Sequence, residues 1–225
     1  FNTARAIGPA LAGMVVAATG EGNAFFLNAL SFIAVIVSLM VMRNLPVSHQ
    51  PISKETGTLS HMAAGINFMR SQQVMMVLVS LIAVSAFLSM PYNTLMPVFA
   101  ERVLSTSAQP IINYFCDSQI GLLQCQAPEA LPLGFLLTTV GIGAVIAAIF
   151  VASLPDNVSH GKWLTFGNLA FPAFLLIFGL SKSFILSLIV LFCVGFSFVL
   201  QNALANTLLQ MIAPDEMRGR VMGLY

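Results

Sequence analysis

Charge is what this chain most lacks. Only 8% of its 225 residues are Asp, Glu, Lys or Arg, whereas a soluble globular domain carries about 25%. A soluble fold of this size would have too few charges for its hydrated surface, which excludes an ordinary water-soluble domain. Nine Lys and Arg face eight Asp and Glu, and no basic stripe forms, so no nucleic-acid partner is expected. Cysteine is scarce, and no Cys/His set has zinc-ligand spacing. No Gly-rich phosphate loop follows a strand, and no nucleophile–base pair is visible. The chain therefore gives an enzyme reading almost nothing to stand on, and no catalytic residue, metal or cofactor is expected. There is no charged or low-complexity tail. The chain starts at Phe1 inside a motif and stops at Tyr225 inside an apolar run, so it reads as a fragment cut at both ends.

What is abundant is apolar length, with 58% of residues hydrophobic. A transmembrane helix needs roughly 20 mostly apolar residues. Six segments qualify: Thr3–Thr19, Ala24–Met42, Val74–Ala100, Leu131–Leu154, Trp163–Leu180 and Phe184–Ile212. A seventh begins near Val221. These runs are too long for strands and do not alternate as barrel strands do. The expectation is an all-α, polytopic transmembrane bundle with the lipid bilayer as its solvent.

Lys and Arg in the connecting loops set the orientation. Arg5, Arg43, Lys54, Arg70, Lys162, Arg218 and Arg220 fall on one side, Arg102 and Lys182 on the other. The first side is assigned to the cytoplasm. Residues 1–42 then hold two helices and 43–73 a cytoplasmic connection, with a second bundle over 74–225. Within the connection, Leu59, Met62, Ala63, Ile66 and Met69 recur at helical spacing. They fit either an interfacial helix or a short helix leading into the next span. The external loop from Glu101 to Ala130 carries few strong helix signals. Its Cys116 and Cys125 lie where a disulfide is permitted, though their spacing does not specify one. Cys193 reads as a small buried apolar residue.

Several residues could carry mechanism. Gly8, Ala12, Pro9 and Gly13 place small residues four apart in the first segment, and Gly141 and Gly143 continue a small-residue stripe in the fourth. Such stripes let helix backbones approach closely in lipid, so these two helices either pack together or serve other neighbours. The third segment exceeds the bilayer core and contains Pro91 and Pro97. Ser89, Asn93 and Thr94 could meet the carbonyls that the prolines free, or face water. Tyr92, Asn93 and Thr94 are substrate-cavity candidates, with interhelical hydrogen bonding as the alternative. In the sixth segment, Gln201, Asn202, Asn206, Thr207 and Gln210 crowd one helix half. Buried amides in lipid are costly unless paired or wet. Gln201, Asn202 and Asn206 therefore line a cavity or form a hydrogen-bond ladder. No span interior carries a carboxylate or histidine, so no proton-coupling site is evident. Arg5, Arg218 and Arg220 either snorkel to the interface or form a cytoplasmic gate with Asp215 or Glu216.

Ile7-Gly8-Pro9-Ala10-Leu11-Ala12-Gly13 resembles the antiporter motif of the fifth helix in the major facilitator superfamily. Asn2, Arg5, Gly8-Pro9 and the following Phe26-Leu27-Asn28-Ala29-Leu30-Ser31-Phe32 resemble the fifth and sixth helices of its enterobactin-exporter and macrolide-efflux branch. Pro91-Tyr92 with Leu95-Met96-Pro97-Val98-Phe99-Ala100 resembles the seventh, and Asn206-Thr207-Leu208-Leu209-Gln210 with Pro214-Asp215-Glu216-Met217-Arg218-Gly219-Arg220 the tenth and its following loop. Two departures stand out: a longer loop over Ser105–Ala130, and only a trace of the basic gating motif between Pro155 and Lys162. The resemblance implies a partial twelve-helix fold, from helix five to the start of helix eleven. It implies contact between the Gly8/Gly13 and Gly141/Gly143 helices, and a bacterial cytoplasmic (inner) membrane location. It further implies a monomeric full-length exporter of hydrophobic or amphiphilic small molecules, working by alternating access with proton antiport. An energy-independent lipid or solute facilitator and a non-transporting scaffold or sensor are the alternatives.

Overall fold

The computed structural model describes residues 2–41, 66–116, 127–155, 158–214, 219, 221 and 223; within 2–41, side chains are described for 11, 12, 15, 16 and 18–41. The helices are α1 Asn2–Val41, α2 Gln73–Arg102, α3 Ser105–Cys116, α4 Ala130–Ala152, α5 His160–Leu180 and α6 Phe184–Ile212. No strand occurs among the described residues.

α1 is two helical arms joined at Gly20, whose φ of 81° and ψ of 168° leave the helical region. Only glycine enters that conformation without a steric cost, so the chain turns there. The first arm is the expected first span. The second, with α2, α4, α5 and α6, makes five helices long and apolar enough to cross a membrane. α2 has 30 residues, about 45 Å at 1.5 Å per residue, so it outruns a core of about 30 Å. Residues 66–71 form one helical turn and a half before α2, with Gln72 extended between them. Met69 is buried against α2 and α6 neighbours. Leu59, Met62 and Ala63 lie outside the described residues.

The outer loop departs from the sequence expectation. It contains α3, despite Pro110. Two apolar anchors explain this: Leu104 and Ala108, one turn apart, are both fully buried in the outer core. Ser107 Oγ accepts the Phe184 backbone N–H at 3.1 Å, supplying a partner for one of the donors that every helix N-terminus leaves over. Cys116, at the end of α3, is in a disulfide. Cys193 is a free thiol, and Cys125 lies outside the described residues.

α6 is the central helix, lying along both α4 and α5, while α1 lies along α4. The α4–α6 approach depends on glycine. A Cβ on Gly195 would collide with the Val140 backbone, and one on Gly143 with the Phe192 and Phe196 backbone. Gly143 thus faces α6. The core comprises two apolar clusters. The outer one gathers Met96, Leu136, Val140, Phe171, Phe178 and Leu191. The inner one gathers Met75, Leu78, Ala147, Leu164, Leu204 and Leu209. Each of α2, α4, α5 and α6 contributes to both, as helices that cross the same bilayer side by side must.

Candidate functional site

Between the two clusters the core turns polar. On α2, Ser85 falls between Leu78 and Met96; on α5, Asn168 falls between Leu164 and Phe171; on α6, Gln201 stands where the two clusters meet. These three side chains converge. Ser85 Oγ lies 3.1 Å from Gln201 Oε1 and 3.4 Å from Asn168 Oδ1. Gln201 is only 3% exposed. The helices meet here because Gly167, one residue before Asn168, has no Cβ. Adding one would bring it to 3.1 Å from Gln201 Cβ and 3.3 Å from Ser197 O.

The hydrogen-bond arithmetic of this seam does not close. A serine hydroxyl has one proton, and two carbonyl oxygens face it. Asn168 is held in its orientation because its Nδ2 donates to Leu164 O at 3.0 Å. Gln201 Nε2 is buried and has no partner among the described residues. One turn earlier on the same helix, Ser197 Oγ is likewise buried without a partner. The gap bounded by Leu81, Ile82, Ser85, Asn168 and Gln201 has no room for a water molecule. Turning the Gln201 carboxamide end for end lets Nε2 donate to Ser85, whose proton then goes to Asn168. The seam therefore has two hydrogen-bonding arrangements, and each leaves one carboxamide atom of Gln201 facing the gap. A buried unpaired polar group costs about 1–3 kcal/mol.

The other sequence candidates scatter. Tyr92 is half-buried and packs edge-on against Phe178 in the outer core, with ring centres 6.4 Å apart. Asn93 and Thr94 are exposed and bond back to their own helix, at Ser89 O (2.8 Å) and Met90 O (3.0 Å). Those are not the carbonyls freed by Pro91 and Pro97, which lie four residues before each proline. Asn202 borders the closed seam and spends its Nδ2 on Phe198 O at 2.7 Å. Asn206 accepts from Gln210 Nε2 at 3.1 Å on the exposed side of α6, a local pair along one helix. Gly141 and Gly143 are both buried. The side chains of Arg5, Gly8, Pro9 and Gly13 lie outside the described set, as do Asp215, Glu216, Arg218 and Arg220. No group of three His, Cys, Asp or Glu able to hold a metal occurs among the described residues.

Ser85 and Asn168 were missed by the sequence reading. Their signal is a single polar residue inside an apolar run, Val84-Ser85-Ala86 and Gly167-Asn168-Leu169. One serine or asparagine in a span is commonplace. Their meaning comes from meeting Gln201. The seam offers amides and a hydroxyl and no charged group.

The model of the Major Facilitator Superfamily matches residues 1–225. The chain is 24% identical to the enterobactin exporter EntS of Shigella flexneri over 97% of this chain and 45% of that protein. It is 23% identical to an Escherichia coli O1:K1 enterobactin exporter over 97% of this chain and 46% of that protein. It is 24% identical to the multidrug efflux pump Tap of Mycolicibacterium fortuitum, over 100% of this chain and 49% of that protein. The chain spans about half the length of the curated relatives it matches. No solved structure matches it.

Proposed function

Because this chain belongs to the Major Facilitator Superfamily, we propose that the full-length protein is a secondary transporter that exports hydrophobic or amphiphilic small molecules by alternating access. It is a multi-pass protein of a bacterial cytoplasmic membrane. The relatives are named as exporters, one of enterobactin and one of several drugs, which supports the direction. The observation that carries the reading is the uncharged polar seam Ser85–Asn168–Gln201 inside an apolar bundle. A core that serves packing alone gains nothing from a buried amide that keeps one carboxamide atom unpaired in either orientation. A transporter that rearranges has a use for it, because that atom finds its partner in another state or on a bound molecule. The seam's lack of charge suits a substrate recognised by hydrogen bonds and apolar contact.

Proton antiport as the driving force rests on the family resemblance. None of the described polar groups in the seam titrates near neutral pH. The experiment is accumulation of fluorescent amphiphiles in energised cells expressing the full-length protein. Reduced accumulation that a protonophore restores is the expected result. Reduced accumulation insensitive to the protonophore overturns antiport, whereas equilibration of the probe across the membrane without an energy source points to an energy-independent facilitator. Unchanged accumulation across chemically diverse probes overturns the exporter reading in favour of a scaffold or sensor.

A further inference from the structure

The outer helix α3 ties α2 to the rest of the bundle. It follows α2 after a tight turn, in which the Leu104 N–H donates to Phe99 O at 3.1 Å and the Ala108 N–H to Leu104 O at 2.9 Å. Leu104 and Ala108 are fully buried in the outer core. Ser107 uses both of its hydrogen-bonding functions: its hydroxyl donates to Leu104 O at 3.0 Å and accepts the N–H of Phe184, the first residue of α6. The start of α6 is itself pinned. Ser187 Oγ donates to Ser181 Oγ at 3.0 Å and Ser181 Oγ to Ser183 O at 3.2 Å, with both hydroxyls buried. Towards its far end α3 packs Phe115 on Phe135 of α4, ring centres 5.5 Å apart, and Cys116 adds a disulfide. The outer half of α2 contributes buried Met96 and Ala100, and stacks Phe99 on Phe178 of α5 at 4.6 Å.

The inner half of α2 is held differently. No residue from 86 to 95 is buried, and that stretch contains Pro91. A proline removes one helix hydrogen bond and is where helices bend. Below it, α2 buries only Met75, Leu78 and Ser85, and Ser85 belongs to the seam whose hydrogen bonds do not close. The surrounding solvent decides what each set of contacts is worth. Exposed Glu101, Arg102 and Lys182 mark the aqueous edge, so pulling Leu104 and Ala108 away would expose apolar surface to water. Leu78 lies inside the span, where lipid tails are as apolar as leucine, so parting it from its neighbours costs packing but no hydration.

We propose that α3 is an outer brace: it fixes the outer half of α2 to α4, α5 and α6, so that α2 moves by swinging its inner half about Pro91. The brace is a property of the folded bundle and stands whether or not the protein exports. The test is double electron–electron resonance on purified full-length protein in lipid nanodiscs. Nitroxides are carried on p-acetylphenylalanine, a chemistry that leaves the cysteines untouched. An outer pair replaces Glu101 and Lys182, and an inner pair replaces Val77 and Thr165, all four exposed. The parent is expected to show one narrow outer distance and two inner distances. Cutting a tie, by Cys116→Ser or by Ser107→Ala, is expected to add a second outer distance, and its appearance in either variant supports the brace. Pro91→Ala is expected to reduce the inner distances to one. Size-exclusion profiles matching the parent show that the variants are folded, and the parent's own distances test the asymmetry without any of them. Two outer distances or a single inner distance in the parent overturns the proposal. So does an outer distance that stays single in both cut variants, or a pair of inner distances that Pro91→Ala leaves unchanged.

Discussion

Gln201 is the residue on which the inner architecture turns. Its carboxamide is buried, and its Nε2 has no partner among the described residues. Leucine has a similar reach and no polar atoms. Gln201→Leu removes the unpaired donor and leaves Ser85 its second acceptor at Asn168. The expected outcome is a thermal midpoint in detergent equal to or above the parent, together with loss of most efflux. A merely structural amide would show the reverse, a fallen midpoint with efflux per folded molecule retained. Ser85 and Asn168 show why this seam is poorly legible in sequence. Each is a lone small polar residue in a span, a pattern shared by residues such as Thr139 that only bond to their own helix, here at Phe135 O. Gln201 was legible because an amide in an apolar run is costly wherever it sits. Its role was not, since that depends on which neighbours share its level.

At the scale of elements, helix contact is decided by glycines with distinct jobs. Gly195 and Gly143 hold α6 and α4 backbone to backbone, while Gly161 in α5 has nothing within 4 Å of where its Cβ would be. Gly195→Ala is expected to destabilise the bundle by about 1–3 kcal/mol, because backbone atoms cannot yield as a side chain can. Gly161→Ala is expected to stay within about 1 kcal/mol of the parent, with helix propensity pulling in its favour. Thermal unfolding of the pair separates the two jobs, and equal midpoints would remove the close-contact argument. The small-residue stripe in α4 was visible in sequence, but its direction was not. Gly143 faces α6, and the stripe alone fits any neighbour. The outer helix α3 escaped the sequence reading for a related reason. Pro110 argues against a helix, and the burial of Leu104 and Ala108 overrides it. The disulfide of Cys116 ties the end of this helix. A denatured, unreduced chain of residues 1–225 is expected to show one maleimide-reactive thiol, Cys193, and the reduced chain three. Three reactive thiols without reduction would rule the disulfide out.

For the molecule as a whole, the exposed surface is as informative as the core. The most apolar stretch of the span Ala18–Val41 has none of its residues buried. Its Phe26, Phe32 and Met40 face outward at large exposure, a state tolerated only in lipid or against further protein. α2 likewise keeps most of its length uncovered. A substrate cavity with one wall cannot alternate between two openings. Residues 1–225 expressed alone are therefore expected to give no efflux in energised cells that the full-length protein protects. Measurable efflux from this piece would sink the two-bundle reading.

The sequence by itself determined the solvent and the helix class, and it sets an expectation for the direction of threading. These follow from quantities summed along the chain: too little charge for water, apolar runs long enough for a bilayer, and Lys and Arg gathered in alternate loops. Such sums survive an error at any one residue. Only the tertiary structure decided which polar residues meet, that Gly143 faces α6, and that α3 is a helix. Those are properties of pairs distant in sequence. A hydroxyl on α2 becomes part of a site only when two other helices bring their amides to its depth, and no local pattern encodes that depth.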